Sequence, residues 1–285
     1  MFYKKIRIME ITDISGKVSL SNGVKMPYLG LGVYLIKDGA EVENVIKYAL
    51  KTGYRHFDTA SLYGNEIGVG NAVNQSNIPR AEIFVTTKVW NSDQGYDSTL
   101  KAFNQSLELL NMSYVDLYLV HWPVKGKFKD TWKALEQIYK SGKAKAIGVS
   151  NFNIHHLQDL FDVTEVKPMV NQVEFHPYLV QQPLIDFCKQ NNIQYQAWSP
   201  LMQGNIINID LLKELAVKYK KTVTQIVLRW NLQKGVVTIP KSVRPERIIE
   251  NSQIFDFELS DEDMKKIDNL DKNSRLGADP DNFNF

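Results

Sequence analysis

Asp58, Tyr63, Lys88 and His121 supply an acid, a phenol, an amine and an imidazole, each at or just beyond the end of a short apolar run. The runs are His56-Phe57-Asp58, Ile83-Phe84-Val85-Thr86-Thr87-Lys88 and Val115-Asp116-Leu117-Tyr118-Leu119-Val120-His121. Gathered at one place, these groups make a proton-transfer site. Hydride addition to a carbonyl creates an alkoxide that needs a proton donor close by. Tyrosine, with a reference pKa near ~10, is a poor acid at neutral pH unless a neighbouring ammonium favours its phenolate. A buried lysine would shed its own proton without a carboxylate beside it. Asp58 would therefore keep Lys88 charged, Lys88 would polarise Tyr63, Tyr63 would give the proton and His121 would orient the substrate oxygen. Taken singly, each residue has a plainer use, as a helix cap, a solvated lysine or a packed histidine.

What could bring them together is a repeating strand–helix rhythm. Leu29 to Val33 reads as a strand, Ala40 to Lys51 as a helix, Arg55 to Asp58 as a strand and Glu66 to Gln75 as its helix. Strand Ile83 to Lys88 precedes a helix over Ser98 to Leu110, where Leu100, Phe103, Leu107 and Leu110 share one face. Strands follow at Val115 to His121, Ala144 to Val149, Met169 to Glu174, Ile193 to Trp198 and Val236 to Ile239, with helical patterns between and after them. Eight such strands with short connections predict an α/β fold, a closed parallel (β/α)8 TIM barrel with extra helices, in which strand C-termini share one face. Asn22-Gly23, between Val18-Ser19-Leu20 and Val24-Lys25-Met26, is a two-residue hairpin signal, so an N-terminal β-hairpin should cap the barrel bottom. Residues 1–285 read as one domain, with 1–16 a loosely ordered N-terminal extension and Met9 an alternative start.

Other classes are disfavoured. The 285 residues carry 34 basic and 32 acidic side chains, and a net charge of +2 gives no field suited to nucleic acid or a membrane surface. No apolar stretch approaches the ~18 residues of a membrane span, and Met1 to Glu10 lacks the apolar core of a secretory signal. A single cysteine, Cys188, excludes an internal disulfide framework or a multi-cysteine metal cage and reads as packing. These features predict a cytoplasmic chain without a metal, and no seam suggests assembly beyond a monomer. Gly30-Leu31-Gly32 and Gly68-Val69-Gly70 are poor dinucleotide fingerprints: the first lacks its third glycine and the second falls inside a helix.

The chain resembles the aldo-keto reductases. The resemblance is carried by Gly53-Tyr54-Arg55-His56-Phe57-Asp58-Thr59-Ala60 with Tyr63, Thr87-Lys88-Val89-Trp90, Asp116 to Pro123, Ile147 to Phe152, Asn171-Gln172-Val173-Glu174 and Ile239-Pro240-Lys241-Ser242, in order from about Lys17 to Leu270. It implies the (β/α)8 barrel, NADPH as cofactor, Asp58, Tyr63, Lys88 and His121 as the catalytic tetrad, and Tyr63 as general acid. It also implies that Ser150, Asn151 and Gln172 hydrogen-bond the nicotinamide carboxamide. Trp198 stands where the family usually stacks a tyrosine on the ring. Ser199 and Leu201 would line the pyrophosphate, and Lys241, Ser242, Val243, Arg247, Glu250 and Asn251 the adenosine end. Lys241, Arg244 and Arg247 open a predicted helix, where the helix dipole disfavours cations, so an anion sharing that place would explain them.

By the same resemblance Tyr34, Trp90, Trp122 and His121 would face a small carbonyl substrate. Only fifteen residues follow Leu270, which predicts an open pocket, and Val170 to Pro177 and Ala197 to Gly204 look like bacterial members that reduce glyoxal and methylglyoxal. Two rival readings use the same barrel. One is an NADPH-binding sensor or regulatory subunit with little turnover, and the other is a sugar-phosphate isomerase.

Overall fold

The computed structural model describes residues 11–285. Two antiparallel strands, β1 (Lys17–Ser19) and β2 (Lys25–Pro27), precede a parallel sheet. Among the described residues that sheet has eight strands: β3 (Leu31–Gly32), β4 (His56–Asp58), β5 (Phe84–Val89), β6 (Val115–Val120), β7 (Ala144–Ser150), β8 (Val170–Glu174), β9 (Gln194–Trp198) and β10 (Val237–Thr238). Each pairs with the next in chain order. The ring closes where Leu29 bridges Thr238 and the Gly30 N–H donates to the Thr238 carbonyl at 2.9 Å. Only glycine fits at position 30, because a Cβ there would lie 2.6 Å from the His56 ring. The result is the expected (β/α)8 barrel.

Helices α1 (Ala40–Thr52), α2 (Glu66–Asn74), α3 (Tyr96–Leu110), α4 (Phe128–Lys140), α5 (Ile154–Phe161) and α6 (Gln182–Gln190) follow β3 to β8 in turn. After β9 come α7 (Asp210–Tyr219) and α8 (Val223–Gln233), and after β10 come α9 (Pro245–Ser252) and α10 (Asp261–Asp268). Helices outside and side chains inside bury both faces of the strands, so every residue of β5 is buried and β6 is apolar but for Asp116. Helix α4 turns Trp132, Leu135 and Ile138 inward, all at most 4% exposed. No helix of the described residues is long and apolar enough to cross a membrane.

Three expectations are corrected. The hairpin has a three-residue loop, Ser21 to Gly23, with the Leu20 N–H donating to the Val24 carbonyl at 2.8 Å and Gly23 at φ 87°. A type I turn followed by a left-handed residue closes such a hairpin as readily as a two-residue turn. The hairpin does lie at the barrel bottom, where the Asn22 amide donates to the Lys145 carbonyl at the start of β7. Second, the loosely ordered extension does not run through residues 11–16: Ile11 joins the core and its carbonyl accepts a hydrogen bond from Arg229, because apolar side chains at 11 and 14 find cover on the barrel. The expectations for Met1 to Glu10 lie outside the described residues. Third, β3 and β10 are two residues each, since the closing seam is carried largely by isolated backbone bonds.

Candidate active site

Strand ends deliver the four polar side chains to one place. Asp58 is the last residue of β4, Lys88 the next to last of β5, and His121 directly follows β6, held by its N–H to the Val89 carbonyl. Tyr63 ends the one-turn helix Ser61–Tyr63, and the buried Asn65 fixes that turn. Its amide donates to the Val33 and Ile36 carbonyls while Thr59 donates to its oxygen at 2.6 Å. The Asn65-Glu66 pair thus acts as scaffold, and Glu66 in turn accepts a hydrogen bond from Thr87 at 2.6 Å.

Lys88 is fully buried and its Nζ donates to Asp58 Oδ1 at 2.5 Å, the Thr59 carbonyl at 2.8 Å and Tyr63 Oη at 3.4 Å. Burial alone would favour the neutral amine. The Asp58 carboxylate and Tyr63 outweigh it and hold Lys88 above the ordinary lysine value. The second Asp58 oxygen accepts from Gln172 Nε2 at 2.6 Å, so this carboxylate is tied on both sides. Burial and the Lys88 cation push His121 well down, leaving a neutral ring whose Nδ1 is buried without a partner. Its polar action falls to Nε2.

Tyr63 departs from the expectation. Lys88 does draw its pKa down, but burial acts more strongly in the other direction, and the phenol sits above the ordinary tyrosine value. The phenol therefore holds its proton at neutral pH. A group can donate only a proton it still carries, so the shift suits a donor to a strongly basic alkoxide.

A cavity of about 1000 Å³ opens over these strand ends and extends away from them to the start of α9. Asp58, Tyr63 and His121 line its near end, with Ser150, Asn151, Gln172 and Trp198 beside them. The amides are already interlocked. Asn151 donates to the His121 carbonyl at 3.0 Å and to Ser150 Oγ at 3.2 Å, and Trp198 Nε1 donates to Asn151 Oδ1 at 2.9 Å. The indole N–H thus ties Trp198 into the same amide network.

Ser199 and Leu201 line the middle of the cavity, and Lys241, Ser242, Arg247, Glu250 and Asn251 its far end. Neither Lys241 nor Arg247 makes an ion pair among the described residues. Ser242 Oγ accepts from the Arg244 N–H at 3.1 Å, ordering the turn that opens α9. Glu250 accepts from Thr222 at 2.5 Å. Val243 is the exception: it does not line the cavity and is 39% exposed. Its neighbour Ser242 is buried against the cavity while Val243 and Arg244 turn outward.

Tyr34, Trp90 and Trp122 all line the near end. The Tyr34 ring lies 4.9 Å from that of Tyr63, and the Trp90 ring 5.0 Å from that of His121. The pocket is narrower than expected from the short tail. Phe285 stacks on Trp90 at 5.8 Å and meets Trp122 edge-on at 5.2 Å, while Phe283 packs on Trp122 at 5.1 Å. Fifteen extended residues reach about 50 Å, so shortness never prevented the tail from crossing the pocket mouth. The available signal was two phenylalanines, alternating with Asn282 and Asn284, in an otherwise polar stretch.

Residues 29–272 match the model of the Aldo/keto reductase family. The chain belongs to the aldo/keto reductase family. Among its aldo/keto reductase relatives, the glyoxal reductase of Bacillus subtilis (strain 168) is 56% identical over 96% of this chain and 99% of its own. The methylglyoxal reductase DkgA of Escherichia coli O157:H7 is 45% identical over 93% of this chain and 97% of its own. An aspartate-to-alanine variant of Gox0644 in complex with NADPH superposes with a TM-score of 0.90 at 44% identity, covering 95% and 99% of the two chains. The chain is an NADPH-dependent carbonyl reductase. Its long cavity fits the cofactor on its own evidence: an aromatic plane and amides at one end, two unpaired cations at a helix start at the other.

Proposed function

We propose that this NADPH-dependent reductase converts small aldehydes, above all 2-oxoaldehydes such as glyoxal and methylglyoxal, to alcohols, with Asp58, Tyr63, Lys88 and His121 as its catalytic set. The observation that carries the mechanism is the buried Lys88 ammonium bonded at once to Asp58 and Tyr63. Bound NADPH supplies the hydride. Tyr63 gives its proton to the carbonyl oxygen as charge builds there, and the Lys88 ammonium stabilises the phenolate left behind. Asp58 keeps Lys88 charged and fixes its direction. His121, neutral, donates from Nε2 to the same oxygen and so aims the carbonyl. Together these acts add one hydride and one proton across the C=O bond.

Small substrates are supported by the aromatic wall of Trp90, Trp122 and Phe285 near His121, and by likeness to reductases named for glyoxal and methylglyoxal. Ser150, Asn151, Gln172 and Trp198 hold the nicotinamide end of the cofactor. Lys241, Ser242, Arg247, Glu250 and Asn251 hold the adenosine end, and the two free cations make NADPH preferred over NADH. We assign the chain to the cytoplasm as a single-domain monomer; its one cysteine is buried, its thiol pushed up to about 12 by burial, as suits a packing residue. Following NADPH absorbance with a panel running from methylglyoxal to long-chain and aromatic aldehydes tests the substrate, with Tyr63→Phe as control. A bulky best substrate would overturn the small-carbonyl assignment, and NADPH binding without turnover of any aldehyde would favour the sensor reading.

A further inference from the structure

The segment beyond Leu270 is fastened to the barrel top at successive points. The Tyr178 carbonyl accepts from the Lys272 and Ser274 N–H groups at 3.1 and 3.0 Å. Glu174, fully buried at the end of β8, accepts from the Leu276 N–H at 2.6 Å and from Gly277 at 3.2 Å. The last fastening before the aromatic wall is Asp281. Its Oδ2 accepts from Asn153 Nδ2 at 2.9 Å, and its Oδ1 lies 2.9 Å from His155 Nε2 and 3.3 Å from His156 Nε2. All three partners belong to the cap and first turn of α5, a few residues past Ser150 and Asn151. Phe283 and Phe285 follow Asp281 by two and four residues and pack on Trp122 and Trp90.

His155, His156 and Asp281 place one ligand atom each within 4.8 Å of one another, a spacing a metal ion could use. The cap of α5 argues for hydrogen bonds instead. The Asn153 N–H donates to His156 Nδ1 at 3.2 Å, which requires a lone pair there and leaves the ring proton on Nε2, aimed at Asp281. A metal ligated by Nε2 would need that proton moved to Nδ1, facing the Asn153 N–H. Ligating histidines as a rule donate from their second nitrogen. Burial and the neighbouring His155 lower the His156 pKa to about 4, so the ring is neutral and the donor arrangement holds at neutral pH.

We propose that Asp281, gripped by Asn153, His155 and His156, is a positioning residue that sets the affinity for small carbonyls by holding Phe283 and Phe285 on the pocket wall. It rests on the reading of the tetrad end of the cavity as the carbonyl site. Asp281 touches neither tetrad nor cofactor groove, so its effect must pass through the two phenylalanines. Releasing the tail opens the wall beside His121: small aldehydes lose contacts, while the proton-transfer groups stay in place.

A mutational cycle tests this, with KM, kcat and the NADPH dissociation constant measured for methylglyoxal, or for the best aldehyde of the panel if methylglyoxal is not turned over. Asp281→Ala should raise KM about tenfold, leave kcat and NADPH binding within about twofold, and improve relative activity on bulky aldehydes. Asp281→Asn, which keeps an acceptor oxygen for the histidines, should recover most of the lost affinity. In a Phe283→Ala/Phe285→Ala background, adding Asp281→Ala should change KM by less than about twofold, because residues acting in series are not additive. An unmoved KM in Asp281→Ala, or the same rise with and without the phenylalanines, would overturn the proposal. So would inhibition by micromolar zinc sulfate that Asp281→Ala abolishes, which would make the trio a metal site. Failure of the unaltered protein on methylglyoxal would count against the substrate assignment alone.

Discussion

The two ends of the cavity handle charge in opposite ways. At the near end Lys88 and Asp58 are almost wholly buried and bonded to each other, and each has further partners in Tyr63, Thr59 or Gln172. At the far end Lys241 and Arg247 stand exposed around the start of α9, where the helix dipole opposes them, and neither makes an ion pair among the described residues. Charge that is paired inside the protein is set up for chemistry that must not depend on what binds. Charge left unpaired on the rim is set up for recognition, since it is stabilised only when an anion arrives. The proton machinery and the cofactor anchor are therefore separable, and variants at the two ends should fail in different quantities.

The sharpest separation is expected from Tyr63→Phe. Loss of the general acid should lower kcat by roughly 10²- to 10⁴-fold with NADPH affinity nearly unchanged. Stopped-flow turnover alongside fluorescence titration of NADPH measures both, and a parallel loss of cofactor binding would merge the two ends. Lys88→Met comes next. It strands the Asp58 carboxylate in the barrel, so besides losing turnover it should lower unfolding free energy by about 3 kcal/mol in urea titrations. The matching far-end change, Arg247→Ala, should leave kcat near normal but weaken NADPH by roughly thirtyfold, about 2 kcal/mol, while NADH is barely affected. Equal losses for the two cofactors would show that Arg247 does not meet the 2′-phosphate.

The same division governs how much could be read without coordinates. Strand-borne residues were legible because burial on both faces writes an apolar run into the sequence and the chemistry stands at its end, as Asp58, Lys88 and His121 do. Phe283 and Phe285 were not, because an irregular tail has no period and its partners, Trp90 and Trp122, lie more than 150 residues away in sequence. The net shift of Tyr63 was hidden for a different reason. Lys88 as a neighbour could be inferred, but the extent of burial that outweighs it depends on how the barrel mouth closes. The hairpin was legible in place and not in loop length, since Asn22-Gly23 serves either a two- or a three-residue turn.

His56 extends the contrast to the barrel floor, with the smallest expected effect. It lies two residues before Asp58 on the same strand and is fully buried. Burial, only partly offset by Asp58, lowers its pKa from 6.5 to about 4. In the unfolded chain the ring takes up a proton below pH 6.5, and in the fold it does so only near 4. Between these values the unfolded state binds more protons, so stability falls as pH falls across that window. The loss should reach about 1.4 kcal/mol one pH unit below 6.5. His156, also near 4, adds to this limb, while Glu66 and Asp116, raised by burial, oppose it, so the whole-protein curve mixes several groups. The difference between the unaltered protein and His56→Leu isolates the one ring. The substitution should flatten the acid side of the urea-stability profile by that amount while leaving the pH dependence of kcat in place. A kcat profile that moved with it would mean that the floor of the barrel communicates with the tetrad, and the buried end would no longer be insulated from its surroundings.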